Sequence, residues 1–329
     1  MHKTARFPAF ILGIISLSLW SCHSNSSNEG SKESSASSAP VTIMGHFDAD
    51  SAYAYVQKQV DFGPRIPNTA AHDACASWLI AKLKPLADSV TVQKTTVSTH
   101  GKSYGCTNII AHFNPAATSR ILVLAHWDTR AFADADPKTK DQHFDGADDG
   151  ASGVGVLLEI ARQLHEKPAT LGVDLLCTDV EDAGLEGDDN SWGLGTQYWS
   201  RQAKAQGYHA QYGILLDMVG GKGAHFYREG LTKQFAGPQS TMVWNTANSI
   251  GYSDYFSYTN LGEVMITDDH AFVNKLVGIP TMDILALQGN GDFMPWHHTI
   301  NDNMKVIDKN TLKAVGQTVL QVLYTNPAY

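Results

Sequence analysis

Four short apolar runs, at 121–125, 171–177, 214–217 and 281–285, have the length and composition of strands. Between the first two, Val154, Leu157, Leu158, Ala161 and Leu164 recur at helical spacing, so 150–165 is expected to form an amphipathic helix. Leu312, Val315, Val319 and Leu323 predict a closing helix over 310–323 in the same way. Pro280 stands just before the last run, where a missing N–H donor costs a strand little. Strands alternating with helices restrict the fold to the α/β class: a single domain with a central, mostly parallel mixed sheet and helices on both faces. Ligands of such sheets collect at the carboxyl ends of the strands. His126 and Asp128 follow the first run, Glu181 and Asp182 the second, and Asp217 ends the third.

The fold does not begin at residue 1. His2, Lys3 and Arg6 precede an apolar run at 10–19 that is too short to span a bilayer and reads as the core of a signal peptide, 1–21. Leu19-Trp20-Ser21-Cys22 resembles the lipobox of bacterial lipoproteins, which implies a lipidated Cys22. The chain is then expected to be an exported lipoprotein facing the periplasm, held to a membrane only by its lipid. An ordinary secretory signal with an incidental cysteine is the alternative. Residues 23–43 are rich in Ser, Asn and Glu and are expected to be a flexible tether; 44–329 turns globular, with no repeat or second linker. A formal net charge of −9 without a Lys/Arg cluster excludes a nucleic-acid partner. Of Cys75, Cys106 and Cys177, two could pair in an exported protein, while Cys177, inside an apolar run, reads as a packed thiol.

Three stretches carry the chemistry: Gly146-Ala147-Asp148-Asp149-Gly150, Val180-Glu181-Asp182-Ala183-Gly184 and Trp296-His297-His298-Thr299. Carboxylate oxygens and imidazole nitrogens suit a zinc ion that keeps one coordination position open. Glu181 beside a candidate ligand suits an acid/base role. Trp199 and Trp244 are assigned to packing, His165, His209 and His225 to the surface, and Asp134, Asp136, Asp141 and Asp145 to a solvated loop. Trp192 and Phe293 read equally well as core or as pocket.

His126-Trp127-Asp128, Asp149, Glu181-Asp182, Asp217 and His298-Thr299, in that order and after Phe62-Gly63-Pro64-Arg65-Ile66-Pro67, resemble the zinc aminopeptidases of the M28 family. Asp268-Asp269-His270, the Trp192 segment and the stretch 293–299 are similar to the glutaminyl cyclase branch, which converts an N-terminal glutamine of peptides and proteins to pyroglutamate with release of ammonia. The resemblance implies one zinc on Asp149, Asp182 and His298, with Glu181 as general base and Asp217 and Asp268 as supporting carboxylates. It implies a pocket of Trp192, Phe293, Trp296 and Asp283, and a monomer is expected. Asp182 stands where the animal cyclases carry Glu, and Asp283 where they carry a pocket histidine. His297 separates Trp296 from His298 and competes with it as the ligand. The alternative is a two-zinc aminopeptidase in which His126 and Asp217 complete a second ligand set. A non-catalytic binding lipoprotein would have no use for Glu181.

Overall fold

A computed structural model describes residues 41–262 and 264–326. The signal peptide, Cys22 and residues 23–40 of the tether lie outside the described residues. The last tether positions are already part of the fold: the Thr42 carbonyl accepts from the Gln321 side chain (3.0 Å), and Met44 N–H donates back to it (2.7 Å).

Among the described residues, helices α1 (Ala49–Val60) and α2 (Ala70–Leu83) precede an antiparallel hairpin of β1 (Ser89–Thr99) and β2 (Lys102–Phe113). There follow β3 (Arg120–His126), α3 (Ala151–Glu166), β4 (Gly172–Thr178), α4 (Leu194–Ala205) and β5 (Gly213–Asp217). The chain closes with α5 (Gly230–Ser249), the short α6 (Asp269–Phe272), β6 (Thr281–Leu285) and α7 (Lys309–Thr325). The six strands form one mixed sheet in the order β1-β2-β4-β3-β5-β6. β4, β3, β5 and β6 run parallel, while β2 joins β4 antiparallel. The four strands expected from the sequence are the parallel ones.

Alternation along those strands feeds two cores. Ile121, Val123, Leu175, Ile214 and Leu216 pack with residues of α1, α2, α3, α5 and α7. Leu122, Leu124, Leu176 and Leu215 face the other way, onto Trp199 and Ala203 of α4 and onto Val273 and Ile279. Residues from Ala151 to Ala161 of α3 are all buried, so the polar side of this amphipathic helix is covered as well as its apolar stripe. α1 and α7 cover the face that would otherwise meet water: a Cβ on Gly155 would stand 2.6 Å from Val56 of α1. Cys75, Cys106 and Cys177 are all buried and unpaired, which leaves the possible disulfide unformed.

The parallel strands carry His126, Glu181, Asp182 and Asp217 to one end of the sheet. β3 and β4 lie side by side with His126 opposite Thr178, and Asp217 ends β5 on the other side of β3.

Candidate active site and metal centre

Each acidic loop is held by a buried carboxylate that accepts two successive backbone N–H groups. Asp302 takes those of Asp148 (2.7 Å) and Asp149 (3.1 Å). Asp128 takes those of Glu181 (3.0 Å) and Asp182 (3.2 Å). Such clamps orient candidate ligands before any ion arrives. Below the first loop the buried Arg65 guanidinium donates to the carbonyls of Asp145 and Gly146, the second bond 2.6 Å long. Gly150, at φ +91°, turns the chain from Asp149 into α3, and a Cβ there would collide with the Asp128 carbonyl at 2.5 Å.

The three residues expected as zinc ligands meet. His298 Nε2 lies 3.3 Å from Asp149 Oδ2 and 3.1 Å from Asp182 Oδ1. Four donors about 2.0 Å from a zinc ion stand about 3.3 Å apart at the corners of a tetrahedron. The two separations from His298 and the one-nitrogen, two-oxygen donor set therefore match what zinc takes. The other oxygen of Asp182 accepts from the Arg130 N–H (3.0 Å), and His298 Nδ1 faces Asp134 at 3.7 Å. His297 Nε2 is farther away, 3.9 Å from Asp149. It is stacked between Phe293 (4.1 Å between centroids) and His298 (3.7 Å). Burial and the neighbouring imidazole lower His297 to about 4. Burial would also lower His298, but Asp182 and Asp149 outweigh it and raise the ring to about 10. A cation among these carboxylates would take the place of that proton.

On the other side of Asp149, His126 Nε2 lies 3.0 Å from Asp149 Oδ1 and 3.2 Å from Asp217 Oδ1. Glu181, Asp268 and Asp269 bring carboxylate oxygens within 4.8 Å of one another. Burial, reinforced by Asp182 and Asp268, pushes Glu181 well above the usual carboxylate range. Asp268 is likewise raised, by burial and then by Asp217 and Asp269. Crowding of buried carboxylates disfavours ionising all of them together.

These groups open into one cavity of about 230 Å³, lined by Asp149, Glu181, Asp182, Asp217, Asp268, His297 and His298 together with Trp192 and Phe293. Trp192 lies nearly parallel to the His298 ring, 13° between planes, and carries the Arg130 guanidinium 4.9 Å from its ring centroid. Both aromatics with divided readings are thus pocket residues. Trp296 and Asp283 are not among the lining residues. The indole N–H of Trp296 donates instead to Asp148 (2.8 Å), whose other oxygen accepts from Gly220 N–H (2.8 Å). Asp283 lies fully buried in the middle of β6, behind Asp268 and 3.8 Å from His270. A strand interior between two covered faces leaves it no path to the cavity.

The packing tryptophans Trp199 and Trp244 are buried, and His165, His209 and His225 are exposed, as expected. Asp134 and Asp141 are exposed, but Asp136 is buried, where it accepts the N–H groups of Lys138 (2.9 Å) and Thr139 (3.1 Å). Two residues escaped the sequence reading. Asp302, in a polar stretch outside any motif, carried no local signal. Arg130, two residues after Asp128, orders the loop beyond Asp182 through the carbonyls of Asp182 (3.0 Å) and Gly184 (3.1 Å).

Residues 108–323 match peptidase family M28. The glutaminyl cyclase of Porphyromonas gingivalis is 49% identical, with a TM-score of 0.82 over 86% of this chain and 100% of that one. A Zn-dependent exopeptidase from Parabacteroides distasonis is 44% identical, with the same TM-score over 86% and 100%. Aminopeptidase YwaD of Bacillus subtilis is 26% identical over 62% of this chain, which spans only 40% of that relative's length.

Proposed function

The chain belongs to peptidase family M28, and we propose that it is a zinc-dependent glutaminyl-peptide cyclotransferase acting on peptides and proteins with an N-terminal glutamine. The observation that carries this is the meeting of Asp149, Asp182 and His298 with Glu181 in one narrow cavity. Likeness to the P. gingivalis cyclase over 86% of this chain and the whole of that one supports it.

Asp149, Asp182 and His298 would hold a single zinc, which when bound polarises the side-chain carbonyl of the glutamine and offsets charge developing on its oxygen. Cyclisation joins the α-amine nitrogen to the side-chain amide carbon and breaks the bond from that carbon to the amide nitrogen. Glu181 takes a proton from the attacking amine and delivers it to the departing nitrogen, which leaves as ammonia. A raised carboxyl is suited to both halves of that shuttle, and Asp268 and Asp217 stand beside it to share the proton. The cavity is below the roughly 300–1,000 Å³ typical of drug-sized ligands, so it suits one folded-back side chain. Trp192 and the stacked Phe293–His297 pair confine that chain near its attack geometry. Envelope attachment through a lipidated Cys22 and a monomeric state belong to the same proposal.

Mass spectrometry of a Gln-initiated and a Leu-initiated peptide after incubation with the enzyme tests the reading. Loss of one ammonia from the Gln peptide alone, stopped by a chelator, is the expected result. Release of a free N-terminal residue would instead make the protein an aminopeptidase and give His126, Asp149 and Asp217 a second metal.

A further inference from the structure

The exposed charged residues that line the cavity are acidic. Glu186 and Asp189, both exposed, line it from the loop after Asp182, and no Lys or Arg is among its lining residues. Asp188 of that loop is engaged by His100 at 3.1 Å, whereas Glu186 and Asp189 have no hydrogen-bond or ion-pair partner among the described residues. Arg130, which lies over the lining residue Trp192, is already paired with Asp134. The same cavity has an apolar part in Met265, about half exposed, Ile266 and Phe293. A glutamine bound at Asp149, Asp182 and His298 would send the rest of its peptide past the exposed lining residues Glu186, Asp189 and Met265. Carboxylates lining a concave, low-dielectric opening focus a field that reaches the approaching chain.

We propose that Glu186 and Asp189 select substrates in which Lys or Arg directly follows the N-terminal glutamine, its alkyl stem lying on Met265 and Phe293 and its charge meeting the two carboxylates. This rests on the cyclotransferase reading and adds a substrate class to it. A long cationic side chain suits such a mouth because its methylenes and its charged end are satisfied by different surfaces.

The test compares Gln-Lys, Gln-norleucine and Gln-Glu peptides with otherwise identical sequences. In the parent enzyme kcat/KM for Gln-Lys should exceed that for Gln-Glu by roughly tenfold, the order expected of two partly exposed ion pairs. The ratio should shrink in high salt, with norleucine between the two. In the Glu186→Gln/Asp189→Asn enzyme the ratio, taken within that variant whatever its absolute rate, should approach one. A parent ratio near one, norleucine equal to Lys, or an unchanged ratio in the variant would overturn the proposal. If no peptide yields pyroglutamate, the cyclotransferase reading fails. Fluorescence-anisotropy binding of the same peptides still reads the mouth, and equal affinity for the Lys and Glu peptides would overturn its role.

Discussion

Glu181 lies within a cluster of carboxylates that burial prevents from ionising together, yet its own backbone is pinned by Asp128. Its side chain can therefore gain and lose a proton without moving the ligand beside it. Glu181→Gln keeps the shape and removes the shuttle: turnover should fall by at least about a hundredfold while zinc content, read by atomic absorption, stays at the parent level. Loss of zinc in that variant would make Glu181 a ligand. The two adjacent imidazoles differ in the same testable way. His298 Nε2 is within 3.3 Å of both Asp149 and Asp182, and His297 is a stacked, neutral ring 3.9 Å from Asp149. His298→Ala should weaken zinc binding far more than His297→Ala in a competition titration against a chromogenic chelator, and the reverse order would exchange their assignments.

The elements hold the site through close backbone approach and through paired clamps. α3 lies so near β5 that a Cβ on Gly153 would stand 2.2 Å from the Leu216 carbonyl. Gly153→Ala should push the helix off the sheet and cost about 1–3 kcal/mol, seen as a lower urea midpoint with an unchanged slope. Asp302 connects the loop before α7 to the start of α3. Asp302→Ala leaves two buried N–H groups without acceptors, a loss on the order of 3 kcal/mol, and should weaken zinc binding as well because Asp149 loses its orientation. Normal zinc affinity in a destabilised Asp302→Ala protein would limit the clamp to folding. The sheet shows why some elements were legible beforehand. β4, buried at every position, reads as one apolar run; β1 does not, because it is an edge strand whose exposed positions are Ser, Thr and Lys. α2 buries His72, Cys75, Ala76, Leu79 and Leu83 from a stretch with little contrast between its faces, so no periodic signal marks it.

The molecule as a whole concentrates acid at one end of its sheet, with consequences for stability. Burial raises Asp148, Asp179 and Asp269 each to about 6. A carboxyl with a raised folded pKa stabilises the fold while protonated, fully so below its unfolded value, and that contribution is lost as pH rises through the folded pKa. His297, lowered to about 4, works in the opposite sense over the same window, but the raised carboxyls outnumber it. His298, raised to about 10, adds to the loss above its unfolded value, and the lowered carboxyls Asp149 and Glu229 act only below theirs. The Tm of chelator-treated protein should therefore fall from about pH 4 to about pH 7. Zinc should raise Tm most at the upper end, since the ligands bind it deprotonated. A flat or rising metal-free Tm would mean that these carboxyls ionise freely in the folded protein. By itself the sequence determined the parallel half of the sheet and which end of it bears the chemistry, because buried strands must be apolar and polar groups are tolerated only where such strands stop. It also marked Asp149, Asp182, His298 and Glu181 as site candidates, since these residues carry their chemistry in their side chains and sit in short motifs, and the structure brings them to one cavity. Only the tertiary structure decided that Asp302 clamps one ligand loop, that Trp296 supports Asp148 and does not line the cavity, and that Asp283 is sealed behind Asp268. Those roles depend on which groups meet across separations of up to 154 residues, and a residue's local neighbours carry no record of them.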